Sequence, residues 1–303
     1  MNHRKRKIGV AVTLLLIPAV IYSLFFIYPI LYTFYLSTMK WNGIAQVDKV
    51  FVGLDNFIKL FSQKVFYKSL WNALVFIIVS LVVIFPISFS LAMMVSKKNK
   101  VNGALRTIYY IPTLLPMAAT GMMWTFLLTK NGGAVNAILE FFGMAGQDWL
   151  GNTKMAIWVV ALVNAWMFVG SNMLVFITGL TAIPGDMIEA SIVDGASSLQ
   201  RIIHIIIPNM KETFKIFLTS AIAGSIKVFD IIYVMTDGGP GTATDVPATL
   251  MYDQAFLYSK FGYGSSIGVV ILMLALMITF GLNYVLDEKD EVRKIHKKRR
   301  GAV

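Results

Sequence analysis

The chain has 303 residues, 57% of them hydrophobic and only 14% charged, with a mean hydropathy of +0.69. A soluble domain carries about 25% charge, so the composition excludes an ordinary water-soluble fold and points to a membrane protein. The absence of cysteine excludes disulfides, thiolate metal sites and thiol catalysis, and the net charge of +11 has to be read with where the charges fall.

A bilayer core needs about 20 apolar residues of helix. Six intervals meet that need: 8–36, 69–95, 107–129, 155–180, 216–235 and 265–286. The expected fold is all-α and polytopic, with six transmembrane helices. The predicted membrane domain is 8–286, flanked by basic tails at 1–7 and 287–303. The first interval follows the basic start MNHRKRK, but it is too long for a secretory signal and no small-residue cleavage site follows closely, so an uncleaved span is expected.

With the N-terminus inside, eighteen Lys and Arg fall on the inner side and eight on the outer side, with Lys227 inside a span. That bias predicts that both termini are cytoplasmic. The basic charge is thus a topology signal and not a nucleic-acid surface, and the KIHKKRR run fits contact with anionic lipid heads. Proline punctuates the spans at Pro18, Pro29, Pro86, Pro112 and Pro116, where kinks are expected. Gly264 and Gly268 form a GxxxG spacing that suits close helix packing.

Between the fourth and fifth spans, residues 181–212 are too many for a plain connector. Pro184, Asp186 and Glu189 favour a helix start, and Gly195 can end that helix in the left-handed conformation. Ser197 and Gln200 match a capping box that opens a second helix, which Pro208 stops or kinks. The residues alone leave three readings: an amphipathic hairpin on the lipid surface, a face that fills a groove on a cytoplasmic partner, or a weaker helix-turn-helix.

The run EASIVDGASSLQRIIHIIIP, residues 189–208, resembles the EAA loop of permease subunits in ATP-binding-cassette importers. Glu189-Ala190-Ser191, Asp194-Gly195-Ala196, Ile205 and Pro208 fall at the family spacing; Ser191 replaces an alanine, and Ile202 stands where phenylalanine is frequent. FVGLDNF (51–57), RTIYYIP (106–112), KVFDIIY (227–233) and TDGGPGT (236–242) are similar to the carbohydrate branch, of the maltose-permease MalF type. The resemblance implies an ATP-driven, binding-protein-dependent sugar importer in which this chain forms half of the pathway. It implies a second homologous permease subunit, two ATPase subunits and an extracytoplasmic solute-binding protein as partners. Residues 181–212 would be the coupling loop. No cofactor is expected in this chain: ATP and Mg would bind the ATPase subunits, and no G-x-x-x-x-G-K-[ST] pattern occurs.

Candidate path residues follow from polar groups in the spans. Lys227 and Asp230 each cost about 2.5–3.5 kcal/mol if they face lipid near mid-membrane. At i, i+3 of one helix they share a face with Ser220, Gly224 and Tyr233, either as a structural ion pair or as a lining for sugar hydroxyls. The fourth span offers Asn164, Trp166 and Asn172, with Trp166 either packing or presenting a ring to a sugar. Two other functions compete. A stand-alone secondary transporter or channel would show inverted repeats, and a membrane enzyme would need clustered acids at a membrane face. The dense acidic run DEKDE, 287–291, lies in the basic tail and reads as a solvated linker.

Overall fold

The computed structural model describes the backbone of residues 15–300 and the side chains through residue 284; the basic stretch 1–7 and residues 8–14 of the first predicted span lie outside the described residues. In chain order the elements are α1 (Leu15–Ser37), the strands β1 (Met39–Lys40) and β2 (Val50–Phe51), α2 (Asp55–Ser62), α3 (Lys64–Val95), α4 (Lys100–Leu114), α5 (Met117–Leu127), α6 (Ala134–Phe141) and α7 (Ala156–Thr181). Then come α8 (Gly185–Val193), α9 (Ser198–Arg201, running on through Ile202–Ile206 and Ile207–Asn209), α10 (Lys211–Ile226), α11 (Asp230–Met235), α12 (Pro247–Tyr252) and α13 (Phe261–Arg300).

Four described helices are long and apolar enough to cross a membrane: α1, α3, α7 and the Phe261–Tyr284 part of α13. The intervals 107–129 and 216–235 are instead covered by broken pairs, α4 with α5 and α10 with α11. The first break has a steric cause. Leu115 precedes Pro116, and the ring of a proline drives the residue before it out of the helical region; Leu115 is extended, with ψ 139°.

Three other prolines widen helices without ending them. Tyr28, Phe85 and Ile207 each donate their N–H five residues back, to the carbonyls of Ser23, Ser80 and Ile202. Each stands immediately before a proline, Pro29, Pro86 or Pro208. The proline ring would collide with the carbonyl four residues earlier, and a π turn opens the helix enough to admit it.

Two compact units result, Met1–Lys64 with Leu250–Leu272 and Val65–Thr249 with Met273–Val303. In the first, β1 and β2 pair antiparallel, with Met39 opposite Phe51 and Lys40 opposite Val50. Asn56, from the FVGLDNF motif, ties the ribbon to α1 by donating from Nδ2 to the Ser37 and Met39 carbonyls at 2.8 and 2.9 Å. Lys49 donates to Tyr32 Oη at 2.9 Å and lies 4.8 Å from the Trp41 ring centroid. The Tyr32 bond holds its ammonium above the ordinary lysine range. The GxxxG spacing does pack closely: a Cβ on Gly264 would stand 2.8 Å from that of Ala255, and one on Gly268 would stand 3.1 Å from Met251 Sδ.

The second unit has an aromatic core. Phe85 and Phe89 of α3, Phe176 of α7, and Phe214 and Phe217 of α10 interlock, with the centroids of Phe176 and Phe217 5.3 Å apart. Arg106 of α4 closes the end of α3 by donating to the carbonyls of Val95 (2.6 Å from Nη2) and Ser96 (2.8 Å), a cation on the negative end of the helix. The TDGGPGT segment is stitched back on itself, with Thr244 Oγ1 donating to the Gly239 carbonyl at 2.8 Å. Asn72 of α3, 3% exposed, then anchors the segment by donating to the Ala243 and Asp245 carbonyls at 2.9 and 2.7 Å. Alanine at position 72 removes both bonds and strands two carbonyls; a loss of about 2–4 kcal/mol follows. The measurement is the thermal unfolding midpoint in detergent, which should fall clearly below the wild-type value.

Candidate functional site

Helices α3, α5, α7 and α10 of the second unit, together with the residues that join α10 to α11, enclose a cavity of about 410 Å³. That is within the range of ligand pockets, about 300–1,000 Å³. Its lining mixes Phe76, Phe168, Phe217 and Phe229 with Ser80, Asn164, Ser171, Asn172, Ser220, Ser225, Lys227 and Asp230. Several of these polar groups serve their own helix first. Ser225 Oγ donates to the Ala221 carbonyl at 2.7 Å, and Asn172 Nδ2 donates to that of Phe168 at 2.8 Å. Among the described residues the Asn164 amide has no such bond, and it lines the cavity.

Lys227 and Asp230 are not on one helix. α10 ends at Ile226, Lys227 caps it by donating its N–H to the Gly224 carbonyl at 3.1 Å, and α11 starts at Asp230. Gly224 with β-branched Ile226 and Val228 makes a poor helix locally, and Asp230 favours a first turn. The pairing drawn at i, i+3 therefore does not form through a shared helical face. Both residues are exposed into the cavity, in line with Ser220 and Gly224, and a Cβ on Gly224 would meet only open space.

Two candidates leave the site. Trp166 does not line the cavity; it stacks edge-on with Trp124 of α5, centroids 5.5 Å apart. Two residues turn an α-helix by about 200°, so a residue two past Asn164 is directed to the opposite face, which fits the packing reading of Trp166. Tyr233 lies on α11 against Phe229, centroids 5.2 Å apart, and is also outside the lining. Ser80, Phe168, Ser171 and Ser225 line the cavity without having been singled out. Their signal was available: small polar residues that interrupt apolar spans, Ser171 directly before Asn172 and Ser225 one turn after Ala221.

The second candidate region is the loop between α7 and α10. α8 ends in a full Schellman arrangement: Ala196 N–H reaches the Ser191 carbonyl at 2.9 Å, Gly195 N–H reaches that of Ile192 at 3.0 Å, and Gly195 has φ +77°. The capping box is also present. Ser197 N–H donates to Gln200 Oε1 at 2.7 Å, and Gln200 N–H to Ser197 Oγ at 3.3 Å. Asn209 Nδ2 reaches Met187 Sδ at 3.4 Å, joining the end of α9 to the start of α8. Ser191 is buried and donates to the Ile188 carbonyl at 2.6 Å. Glu189, Ala190 and Asp194 are exposed and Ala196 half-buried, while apolar Ile192, Val193 (87% exposed) and Leu199 also stand open. A rigid turn thus presents an acidic residue amid uncovered apolar side chains.

The pattern agrees with known proteins. Residues 84–289 match the family described as binding-protein-dependent transport system inner membrane component. The chain is 31% identical over 270 residues to the probable ABC transporter permease protein YurN of Bacillus subtilis, covering 88% of this chain and 92% of that one. It is also 31% identical over 279 residues to the trehalose/maltose transport system permease protein MalF of Thermococcus litoralis, covering 92% and 93%. Among solved structures, a bacterial ABC transporter that imports the acidic polysaccharide alginate has a chain of the same fold, with TM-score 0.81, 23% identity and coverage of 94% of this chain and 98% of that chain. With helices long enough to cross the bilayer several times and the family match spanning most of its length, the chain belongs to the binding-protein-dependent transport system inner membrane components.

Proposed function

We propose that this chain is one permease subunit of an ATP-driven importer for a sugar or oligosaccharide, with the cavity of the second unit forming part of the solute path. The observation that carries the reading is the cavity itself: serines, asparagines and aromatic faces inside an otherwise apolar helical bundle, a lining suited to hydroxyl-rich solutes. The family match supports the transport role. The sugar assignment draws on relatives whose names specify trehalose/maltose and arabinooligosaccharides.

In this reading residues 181–212 lie on the cytoplasmic side together with both termini, an orientation that the excess of Lys and Arg supports. Glu189 and the exposed apolar residues of α8 and α9 dock into separate ATPase subunits, which bind ATP and Mg. Closure of those subunits drags the loop, and the helices attached to it rock as rigid bodies between inward- and outward-facing states. The stitched outer segment 236–246 lies at the mouth, where a solute-binding protein delivers its sugar. A second, homologous permease subunit completes the path.

Affinity purification of this chain from its own cell membrane tests the assembly. A second permease and ATPase subunits are expected to co-purify, and ATP hydrolysis by the reconstituted complex should rise several-fold when loaded binding protein is added. Purification of the chain alone, with solute flux in vesicles that lack ATPase, would make it a stand-alone transporter instead.

A further inference from the structure

The first unit holds a cleft of about 730 Å³ of its own, where the β1–β2 ribbon, α2 and the start of α13 meet. Its depth in the bilayer follows from the helices that end there. α1 runs up to Ser37 and α13 leaves from Phe261, and both are long and apolar enough to cross. A Cβ on Gly262 would collide with the Met39 carbonyl oxygen, and Gly262 N–H donates to the Trp41 carbonyl at 3.2 Å, so the two helix ends meet backbone to backbone. Tyr28 and Tyr35 stand exposed toward the end of α1, and Trp41 follows on the wall of the cleft, as in the aromatic belt at a membrane–water boundary. The cleft therefore opens at headgroup level.

Much of the neutral chemistry on its wall is spent inside the protein. Asn56 Nδ2 serves the Ser37 and Met39 carbonyls, Trp41 Nε1 donates to the Ile44 carbonyl at 2.9 Å, and Tyr263 Oη donates to Gln63 Oε1 at 3.0 Å. Five exposed charges on the wall are not spent: the side chains of Lys40, Asp48, Asp55, Lys59 and Lys260 make no hydrogen bond or ion pair among the described residues. Asp55 and Lys59 stand at i, i+4 on α2, a spacing that commonly pairs. Here Lys59 turns instead over the Tyr263 ring, 5.3 Å from its centroid, and Lys260 lies over Tyr258 at 5.4 Å. Both contacts leave the ammonium N–H groups open. Asp55 begins α2, whose first N–H groups offset part of its charge, while Asp48 lies in the loop of the ribbon, outside any helix. The cleft thus leans positive and keeps one carboxylate open. A plain anion meets that carboxylate and a plain cation meets three lysines; a ligand carrying both charges avoids both conflicts.

We propose that this cleft binds the headgroup of a membrane phospholipid in which a phosphodiester is joined to a primary ammonium, the phosphate toward the lysines and the ammonium donating to Asp48. The site is separate from the solute path and rests only on α1 and α13 crossing the bilayer.

For the test, the complete complex is reconstituted in nanodiscs of phosphatidylcholine with a minor share of phosphatidylethanolamine that carries a diazirine next to the glycerol. After irradiation the adducts are mapped by mass spectrometry. They are expected to concentrate on the wall of the cleft and the adjoining ends of α1 and α13. Unlabelled phosphatidylethanolamine should displace the label, and phosphatidylglycerol should do so about fivefold less well, equivalent to about 1 kcal/mol. Soluble glycerophosphoethanolamine should leave the label in place. Asp48→Asn should level the two lipids, and Lys40→Gln with Lys260→Gln should cut the labelling several-fold. These side chains are exposed, so the variants should keep the thermal midpoint of the wild type. Adducts spread evenly around the belt, equal displacement by the two lipids in the wild type, or variants that label as it does overturn the site. Displacement by the soluble headgroup overturns the lipid assignment and makes the cleft a site for a small solute.

Discussion

Alanine in place of Gly170 is expected to drive α4 and α7 apart and to give the largest loss of stability of any one-methyl change in the second unit. A Cβ at that position would stand 1.9 Å from the Tyr109 carbonyl oxygen, 2.6 Å from its carbon and 2.9 Å from Tyr110 Cα. All three are backbone, so no rotamer change relieves the overlap, and the helices have to separate by more than an ångström. That motion also strains the bond from Thr113 Oγ1 to the Met167 carbonyl, 2.6 Å long, which crosses the same interface. Overpacking of this kind costs about 1–3 kcal/mol and more where backbone is the obstacle, against about 1 kcal/mol that alanine returns in helix propensity. The matched control is Gly103→Ala on α4 itself, where an added Cβ meets nothing within 4 Å. Thermal unfolding of the two purified variants should differ sharply: Gly170→Ala well below wild type, Gly103→Ala at or above it. Equal midpoints would mean that this helix pair does not pack as described.

Gly170 also marks where sequence reasoning stops. The amide Asn172 was legible because a polar group in an apolar run stands out locally. The glycine two residues before it was not, since its reason is a backbone 60 residues away. Asn72 escaped notice likewise: its partners, the Ala243 and Asp245 carbonyls, are over 170 residues distant. Features set by neighbours in sequence read well. The glycine turn at Gly195, the Ser197–Gln200 box and the irregularities at Pro29, Pro86 and Pro208 all stand where side-chain chemistry put them. The break before Asp230 was missed because the apolar run continues across it, and hydropathy does not register a change of backbone direction. At Trp166 residue type left packing and a sugar surface both open; the helical angle between it and Asn164 favours packing.

The loop of residues 181–212 allows the second large effect to be tested without disturbing the fold. Gly195 has φ +77°, and a Cβ built on it meets nothing within 4 Å. A substitution there strains the turn by about 1–2 kcal/mol, but its Cβ meets no described part of this chain. Gly195 is itself exposed, so tryptophan there adds bulk to the outer surface of the loop, near Val193 and Leu199 in sequence, which are already uncovered. If that surface is a mere connector, the variant should import like wild type. If it seats in an ATPase subunit, the added ring has to displace partner side chains, and a docked helix shifted by an ångström no longer transmits closure. The expected result is wild-type abundance of Gly195→Trp in the membrane, at least a tenfold fall in sugar uptake, and ATP hydrolysis that continues without responding to loaded binding protein. Val193→Asp should fall the same way for a different reason, by placing a charge where an apolar contact forms. Gly195→Ala separates the causes, since it carries the backbone strain without the bulk: uptake near wild type for alanine and lost for tryptophan would locate the effect at the docked surface. Normal uptake by the tryptophan variant would remove residues 181–212 from the coupling role.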